Sequence, residues 1–156
     1  MALATAAVVT DAAGDVHAAE IVRDARREHL AELLAFIDGA CARAGLDPDI
    51  RFDVRLATEE VVTNVIEHGY AGMPTGPVTV RFQCEPARVI VTVDDLARPF
   101  DPALVPRPDT AAPIEQRRSG GLGWHLVHQI MDEVRHEPRT PMGNRLTLVK
   151  RLHSTH

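Results

Sequence analysis

The segment ATEEVVTNVIEHGY contains a carboxylate and a carboxamide four residues apart, Glu60 and Asn64. On a helix this spacing places both side chains on one face, about one turn apart. A carboxylate in that place can take up a proton, and neighbouring side-chain oxygens suit Mg²⁺, which binds few protein ligands together with phosphates. The pair alone is more typical of a solvated helix face, so its meaning depends on other groups.

A second polar group follows a valine-rich stretch, where VTVDDLARPFDP occupies residues 91–102. A carboxylate at a strand end can accept a hydrogen bond from an exocyclic amine, such as that of adenine. Aspartate is also common where strands end, because its side chain favours turns. Asp94 and Asp95 are therefore consistent with a ligand contact and also with a plain turn.

A third segment, SGGLGW at residues 119–124, precedes a helical apolar pattern. Glycine lets a ligand approach the backbone closely, and the free amides of a first helical turn attract phosphate. The segment lacks the Gly-Lys-Ser/Thr ending of a Walker loop, and it does not follow a strand as a dinucleotide fingerprint does. A glycine-rich hinge without a ligand is an equal alternative. Arg117 and Arg118 just before it could meet phosphate oxygens, although basic residues in loops are more often simply solvated.

The elements that must position these groups can be predicted from apolar periodicity. Strands are expected near residues 16–22, 78–84, 89–93, 133–136 and 145–152, and helices at 26–43, from 48 to about 67, and from Gly121 onward. Because strands neighbour strands along the chain, we expect an α/β (α+β) fold. It would be a two-layer sandwich, a mixed, mostly antiparallel sheet with about three helices on one face.

The chain has 156 residues, of which 45% are apolar, and this length fits one domain. We expect residues 16–156 to form that domain, preceded by an N-terminal arm at residues 1–15 that either frays or adds a strand. Five of the eleven prolines lie within residues 96–121. A loop of that length inside a compact domain is usually functional.

Composition also excludes several classes of partner and compartment. The formal net charge of −5 argues against a nucleic-acid binder, which usually has a basic face. No apolar run approaches the ~20 residues that span a bilayer, so no membrane association is expected. Two isolated cysteines, Cys41 and Cys84, form neither a disulfide framework nor a zinc site. A reducing cytoplasm is the simplest location.

The three segments together, in this order, resemble the successive nucleotide-binding boxes of the GHKL (Bergerat-fold) ATPases. The matching patterns are an E-x-x-x-N helix, a D-x-(G/A)-x-P-F-D-P strand end and a GGLG helix start. Within that superfamily, TNVIEHGY, PFDP, GGLGWHLVHQIMDEV and NRLTLVKRL resemble the RsbW-like anti-sigma-factor serine/threonine kinases. The resemblance covers residues 17 to 152.

The resemblance implies a role for each matching residue. Glu60 would be the general base that activates a Ser or Thr hydroxyl, and Asn64 would hold Mg²⁺ bridging the phosphates of ATP. Asp95 would bind the adenine amine, and Ala97 would line the adenine where the family often has Gly. Thr147, in a terminal strand, would lie near the adenine base of ATP.

The helix start and the proline-rich loop complete the implied site. The amides of Gly121, Leu122 and Gly123 would cradle phosphate, and residues 96–121 would form the ATP lid. Two acidic neighbours depart from the simplest pattern: Glu59 adjoins the base, and Glu67 would add repulsion near a triphosphate.

The implied activity is phosphorylation, with ATP and Mg²⁺, of Ser or Thr on a small anti-sigma-factor antagonist protein. When free of that partner, the protein would sequester a sigma factor, and a homodimer is the usual arrangement in the family. The alternative is a non-catalytic, nucleotide-dependent protein-binding switch of the same fold. A sensor histidine kinase is disfavoured, because the sequence shows no dimerising helical hairpin with a phospho-acceptor His.

Overall fold

The computed structural model describes residues 7–10, 17–100, 119–139 and 141–153. Its strands are β1 (Ala7–Thr10), β2 (His17–Asp24), β3 (Pro77–Cys84), β4 (Arg88–Asp95), β5 (Glu133–Pro138) and β6 (Asn144–Arg151). Its α-helices are α1 (Leu30–Arg43), α2 (Pro48–Asn64) and α3 (Ser119–Ile130). A 3₁₀ turn, Arg27–His29, leads into α1, and a π-helical turn, Val65–Gly69, follows α2.

The strands form one six-stranded sheet in the order β1-β2-β3-β4-β6-β5, and every neighbouring pair is antiparallel. In β3 and β4 buried residues alternate with more exposed ones, so one face of the sheet lies toward the helices. The described helices α1 and α2 contact each other and the central strands, and α3 contacts α2 and β5. The predicted two-layer α+β sandwich is confirmed.

The core between the sheet and the helices is aliphatic, as the scarcity of aromatic residues predicts. Its largest fully buried side chains are Phe82, Leu33, Ile37, Leu148, Val54, Val62, Val78, Val80, Val89, Val91, Val93 and Val127. Burial of each such side chain contributes about 1.5–3 kcal/mol before the opposing loss of conformational entropy. This core fixes α2 against β4, and these two elements carry most of the candidate site.

Two helix ends are defined by a glycine and a proline. α1 ends before Gly45, whose φ of +69° is the left-handed conformation that glycine adopts most easily. α2 begins with Pro48, after Asp47 at the N-cap position, although the Asp47 side chain makes no capping hydrogen bond. The helix start is therefore supported by the fixed φ of proline rather than by a side-chain cap.

Other boundaries differ from those expected. The α-helical part of α2 ends at Asn64 and the π-helical turn takes up the next residues, whereas α3 begins at Ser119, two residues before Gly121. In the arm, Ala7–Thr10 pairs with β2 as an added edge strand. Most of the predicted lid, residues 101–118, lies outside the described residues. No helix in the described part of the chain is long and apolar enough to cross a membrane.

Candidate nucleotide site

Asp95 ends β4 with a buried carboxylate that is already partly engaged. Its Oδ1 accepts hydrogen bonds from the backbone N–H of Ala97 and from Nδ2 of Asn144, both at 2.9 Å. Within the described residues both bonds go to Oδ1, so Oδ2 remains able to accept a further donor. An exocyclic amine of a base is a donor of the required kind.

Burial raises the pKa of Asp95 above its ordinary value, while the hydrogen bonds from Asn144 and Ala97 act in the opposite direction. Oδ2 is not among the fully buried, unpaired side-chain atoms of the described residues, so a donor from outside can reach it. A donor at Oδ2 would therefore stabilise the ionised form. This is the electrostatic basis for expecting a ligand contact here rather than a plain turn.

Asn144, the first residue of β6, is the buried residue that holds this region together. Its Nδ2 donates to Asp95 Oδ1 and to the Arg98 carbonyl, each at 2.9 Å. Its Oδ1 accepts from the Phe100 N–H at 2.7 Å and lies 2.8 Å from Nε2 of His136. Asn144 thus joins the end of β4 to the chain that leaves it.

Sequence reasoning gave Asn144 no role. The available signal was the preceding Gly143, which has φ of +123° and where an added Cβ would lie 2.9 Å from the Asp95 carbonyl oxygen. A glycine that permits close backbone approach, followed by a polar residue opening an alternating strand, marks a buried polar contact.

Thr147 does not lie beside Asp95, where the adenine base is predicted to bind, because it pairs with Thr92 three residues earlier in β4. It pairs with Thr92 and Arg135 in the sheet, and its chain neighbours Leu146 and Leu148 are buried toward the helices. Since side chains alternate along a strand, Thr147 points to the opposite face of the sheet from Asn144. Asn144, and not Thr147, makes the polar contact with Asp95.

Tyr70 connects the region after α2 to the end of β4. Its hydroxyl donates to the Pro77 carbonyl at 2.6 Å and accepts from the Leu96 N–H at 2.8 Å. A Cβ at Gly76 would lie 2.7 Å from the Tyr70 ring, so glycine is needed there for the ring to fit. The buried phenol therefore ties the chain that follows Asn64 in α2 to the chain that follows Asp95 in β4.

Glu60 and Asn64 lie in the last turns of α2, half-buried and one helical turn apart, as predicted. The π-helical turn that starts directly after Asn64 widens the helix at this point. Such π-helical turns are rare in proteins, and they occur frequently at functional sites. Among the described residues no hydrogen bond or ion pair fixes either side chain.

The Glu60 carboxylate lies directly against α3. An added Cβ at Gly123 would be 2.1 Å from Glu60 Oε2, so the oxygen occupies space that a side chain at residue 123 would need. Burial raises the pKa of Glu60, and the charges of Glu59 and Glu67 raise it further. A carboxylate with a raised pKa is a stronger base at neutral pH.

The charge of Glu67 has a partner. Its Oε1 accepts a hydrogen bond from Nη2 of Arg27 at 3.1 Å, across from the 3₁₀ turn that precedes α1. The repulsion that Glu67 was expected to add near phosphates is therefore partly offset, although both side chains are exposed and the pair is weak.

The structure brings together two groups of predicted residues. Asp95 and Ala97 lie together at the end of β4. Glu60 contacts Gly123 between α2 and α3, and Asn64 lies one helical turn from Glu60 on α2. Gly121 and Leu122 belong to the first turn of α3, where backbone amides lack helical partners. Such amides bind anions, which is the chemistry expected of this segment.

Residues 24–150 match the family model described as histidine kinase-like ATPase domain. The serine-protein kinase RsbW of Bacillus licheniformis is 31% identical over 121 residues, which cover 74% of this chain and 75% of that protein. RsbW of Bacillus subtilis is 31% identical over 116 residues, covering 71% of this chain and 72% of that protein.

Solved structures share the fold. The RsbU and RsbW domains of a Mycobacterium tuberculosis protein superpose with a TM-score of 0.62 at 21% identity, over 86% of this chain and 32% of that chain. This chain therefore spans about a third of that structure. The histidine kinase domain of a blue-light-activated kinase from Erythrobacter litoralis has a TM-score of 0.51 at 18% identity, over 79% and 59% of the two chains.

Proposed function

The chain belongs to the histidine kinase-like ATPase family, as the match over residues 24–150 shows, and we propose that it is an ATP-dependent protein serine/threonine kinase of the RsbW type. The observation that carries the proposal is the position of Glu60. Its carboxylate has a raised pKa, lies one turn from Asn64 and packs against α3. This arrangement suits proton removal from a hydroxyl beside a phosphate site.

The adenine end is assigned to the chain around Asp95. Oδ2 of Asp95 would accept from the adenine amine, and the buried Ala97 would line the ring. Asn144 holds Oδ1 and so orients the carboxylate for that contact. We include residues 96–121 as the lid over this site, within a single ATPase domain at residues 16–156.

The phosphate end is assigned to α2 and α3. Asn64 would hold Mg²⁺, which needs few protein ligands when phosphate oxygens complete its shell. The amides of Gly121 and Leu122, in the first turn of α3, would contact phosphate oxygens. Gly123 is the fifth residue of α3, so its amide is expected to bond within the helix, and its predicted phosphate contact would be lost. When bound, MgATP supplies the phosphoryl group and the charge neutralisation on which phosphoryl transfer mainly depends.

Glu60 acts as the general base in this scheme. Its carboxylate accepts the proton of the partner's Ser or Thr hydroxyl as the hydroxyl oxygen becomes the nucleophile. The half-buried position of the carboxylate against α3 raises the pKa of Glu60 and so strengthens it as a base. Glu59 is less suited to act as the base, because its Oε2 lies 3.7 Å from Nη1 of Arg55 and forms an ion pair with it.

The proposed partners follow from the similarity to RsbW. The phosphorylated protein would be a small anti-sigma-factor antagonist, and the captured protein a sigma factor, with the kinase acting as a homodimer. These assignments are supported by relatives that share about a third of the sequence over most of both chains.

The test measures transfer of radiolabelled γ-phosphate from ATP to a small protein of the anti-sigma-factor-antagonist type. We expect Glu60→Gln to reduce the transfer rate by about 100-fold or more, the usual contribution of a positioned base. The matched variant Glu59→Gln should remain near the wild-type rate. Full activity of Glu60→Gln would overturn the assignment of the base.

A second measurement separates binding from chemistry. Calorimetric titration with MgATP should show binding to the wild-type protein and strong weakening in Asn64→Ala. A non-catalytic switch is the second candidate function, favoured by Glu67, whose negative charge acts on Glu60 and would oppose a triphosphate beside it. Tight MgATP binding without phosphorylation of the partner would select that candidate.

A further inference from the structure

Gly123 and Glu60 are sterically coupled although they lie in different helices. Gly123 is the fifth residue of α3 and is buried. A Cβ built on it would lie 2.1 Å from Oε2 and 3.1 Å from Cδ of Glu60. These distances are too short for real atoms, so the present position of the carboxylate exists only because residue 123 has no side chain.

We propose that Gly123 is a positioning residue, which keeps a space in α3 for the carboxylate of Glu60. The proposal rests on the proposed function, since it assumes that Glu60 is the base, and it adds a reason for glycine at this position. The usual reason for glycine at a phosphate-binding helix start is close approach of the ligand to the backbone. Here the group that a side chain would displace belongs to the protein.

The form of the clash determines what a substitution would do. The atoms that a Cβ would meet are the end of a flexible side chain, not backbone. Alanine can therefore be accepted without loss of the fold, provided that the Glu60 carboxylate moves by about 1 Å to reach ordinary contact. A displacement of that size in a catalytic group can reduce the rate by about 100-fold.

Gly39 in the middle of α1 offers a matched control. A Cβ there would lie 3.2 Å from the Arg43 guanidinium, a tight contact with another flexible side-chain end. Gly39→Ala therefore introduces the same chemical change and the same gain in helix propensity at a place far along the chain from the site.

The first experiment titrates the Glu60 carboxyl carbon by NMR in the nucleotide-free protein. In Gly123→Ala we expect the pKa of Glu60 to fall toward its ordinary value, because the carboxylate leaves its buried place, and Gly39→Ala should leave that pKa unchanged. The turnover number for phosphotransfer should fall about 100-fold in Gly123→Ala while the KM for ATP changes little. An unchanged pKa of Glu60 would overturn the proposal.

The second experiment repeats Gly123→Ala in a Glu60→Ala background, where no carboxylate remains to be displaced. MgATP affinity, measured by calorimetry, should be nearly the same with Gly or Ala at residue 123. Equal and large losses of affinity in both backgrounds would show that the glycine serves phosphate instead, and would overturn the proposal. If Glu60 proves not to be the base, the NMR titration still reports the steric coupling, so the two failures can be distinguished.

Discussion

The two ends of the proposed nucleotide site are built in different ways. At the adenine end, hydrogen bonds between 2.6 and 2.9 Å fix the polar side chains. Asp95 and Asn144 bond each other and nearby backbone groups, and Tyr70 bonds the backbone of Pro77 and Leu96. At the phosphate end, Glu60 is held by packing against Gly123, and among the described residues no hydrogen bond or ion pair fixes it.

This difference separates recognition from chemistry. A carboxylate whose rotamer is fixed by neighbours can bind a base without reorganisation, and preorganisation of this kind improves affinity. A carboxylate held only by shape can shift when ligand and partner arrive, which suits a group that must exchange a proton. The adenine end should therefore respond to mutation mainly in stability and binding, and the phosphate end mainly in rate and pH dependence.

The largest test of the adenine end is Asn144→Ala. The change removes the donor to Asp95 Oδ1 and also leaves the Arg98 carbonyl and the Phe100 N–H without their partner. An unpaired buried polar group costs about 1–3 kcal/mol and a part-buried one costs less, so we expect a combined loss of roughly 3 kcal/mol in the free energy of unfolding. Urea denaturation measures this loss, and MgATP affinity should fall with it.

Thr147→Ala provides the matched control for Asn144→Ala, because it lies on the same strand but on the opposite face of the sheet. We expect it to change the free energy of unfolding by about 0.5 kcal/mol or less. Equal effects of the two variants would contradict the role given to the hydrogen bonds of Asn144 and the assignment of faces.

The second test is Tyr70→Phe, which removes one hydroxyl and leaves the ring in place. The Leu96 N–H and the Pro77 carbonyl each lose their partner. We expect a loss of about 1–2 kcal/mol in the free energy of unfolding, smaller than that of Asn144→Ala because fewer groups are left unpaired. A variant as stable as the wild type would show that the two backbone groups are satisfied without the phenol.

The sequence predicted the parts of the site that depend on local geometry. Glu60 and Asn64 share a helix face because their spacing is four, and Asp95 precedes Ala97 at a strand end. The roles of Asn144 and Gly123 depend on contacts 49 and 63 residues away in the chain, to Asp95 and Glu60 respectively. No local pattern contains such pairings.

Thr147 shows the same limit from the other side. Its hydroxyl and its position in a terminal strand fit the expected contact near the adenine base. The face of the sheet on which it lies, however, depends on the register of β6 against β4. A shift of one residue would exchange the two faces. That register is set by the pairing of Asp95 with Asn144 at one end and Arg88 with Arg151 at the other. The alternating pattern alone does not specify it.

The smallest effects should appear in the pH dependence at the phosphate end. Of the charges that raise the pKa of Glu60, Glu59 has the larger effect and Glu67 the smaller. Glu59→Gln should therefore lower the pKa of Glu60 more than Glu67→Gln does. Since Glu60 must be ionised to accept a proton, the acidic limb of the turnover–pH profile should move to lower pH in that order.

The same shift must also appear in stability, with a definite sign. Because the folded-state pKa of Glu60 lies above the ordinary value, the folded protein binds more protons than the unfolded chain, and stability falls as pH rises through that folded-state pKa. Glu59→Gln should make this fall smaller. Glu85→Gln, in the turn after β3, removes a carboxylate that does not act on Glu60 and should change neither profile. If Glu85→Gln moved the acidic limb as far as Glu59→Gln, the shift would reflect net charge alone. The pH dependence at the phosphate end would then respond to charge no differently from the rest of the surface.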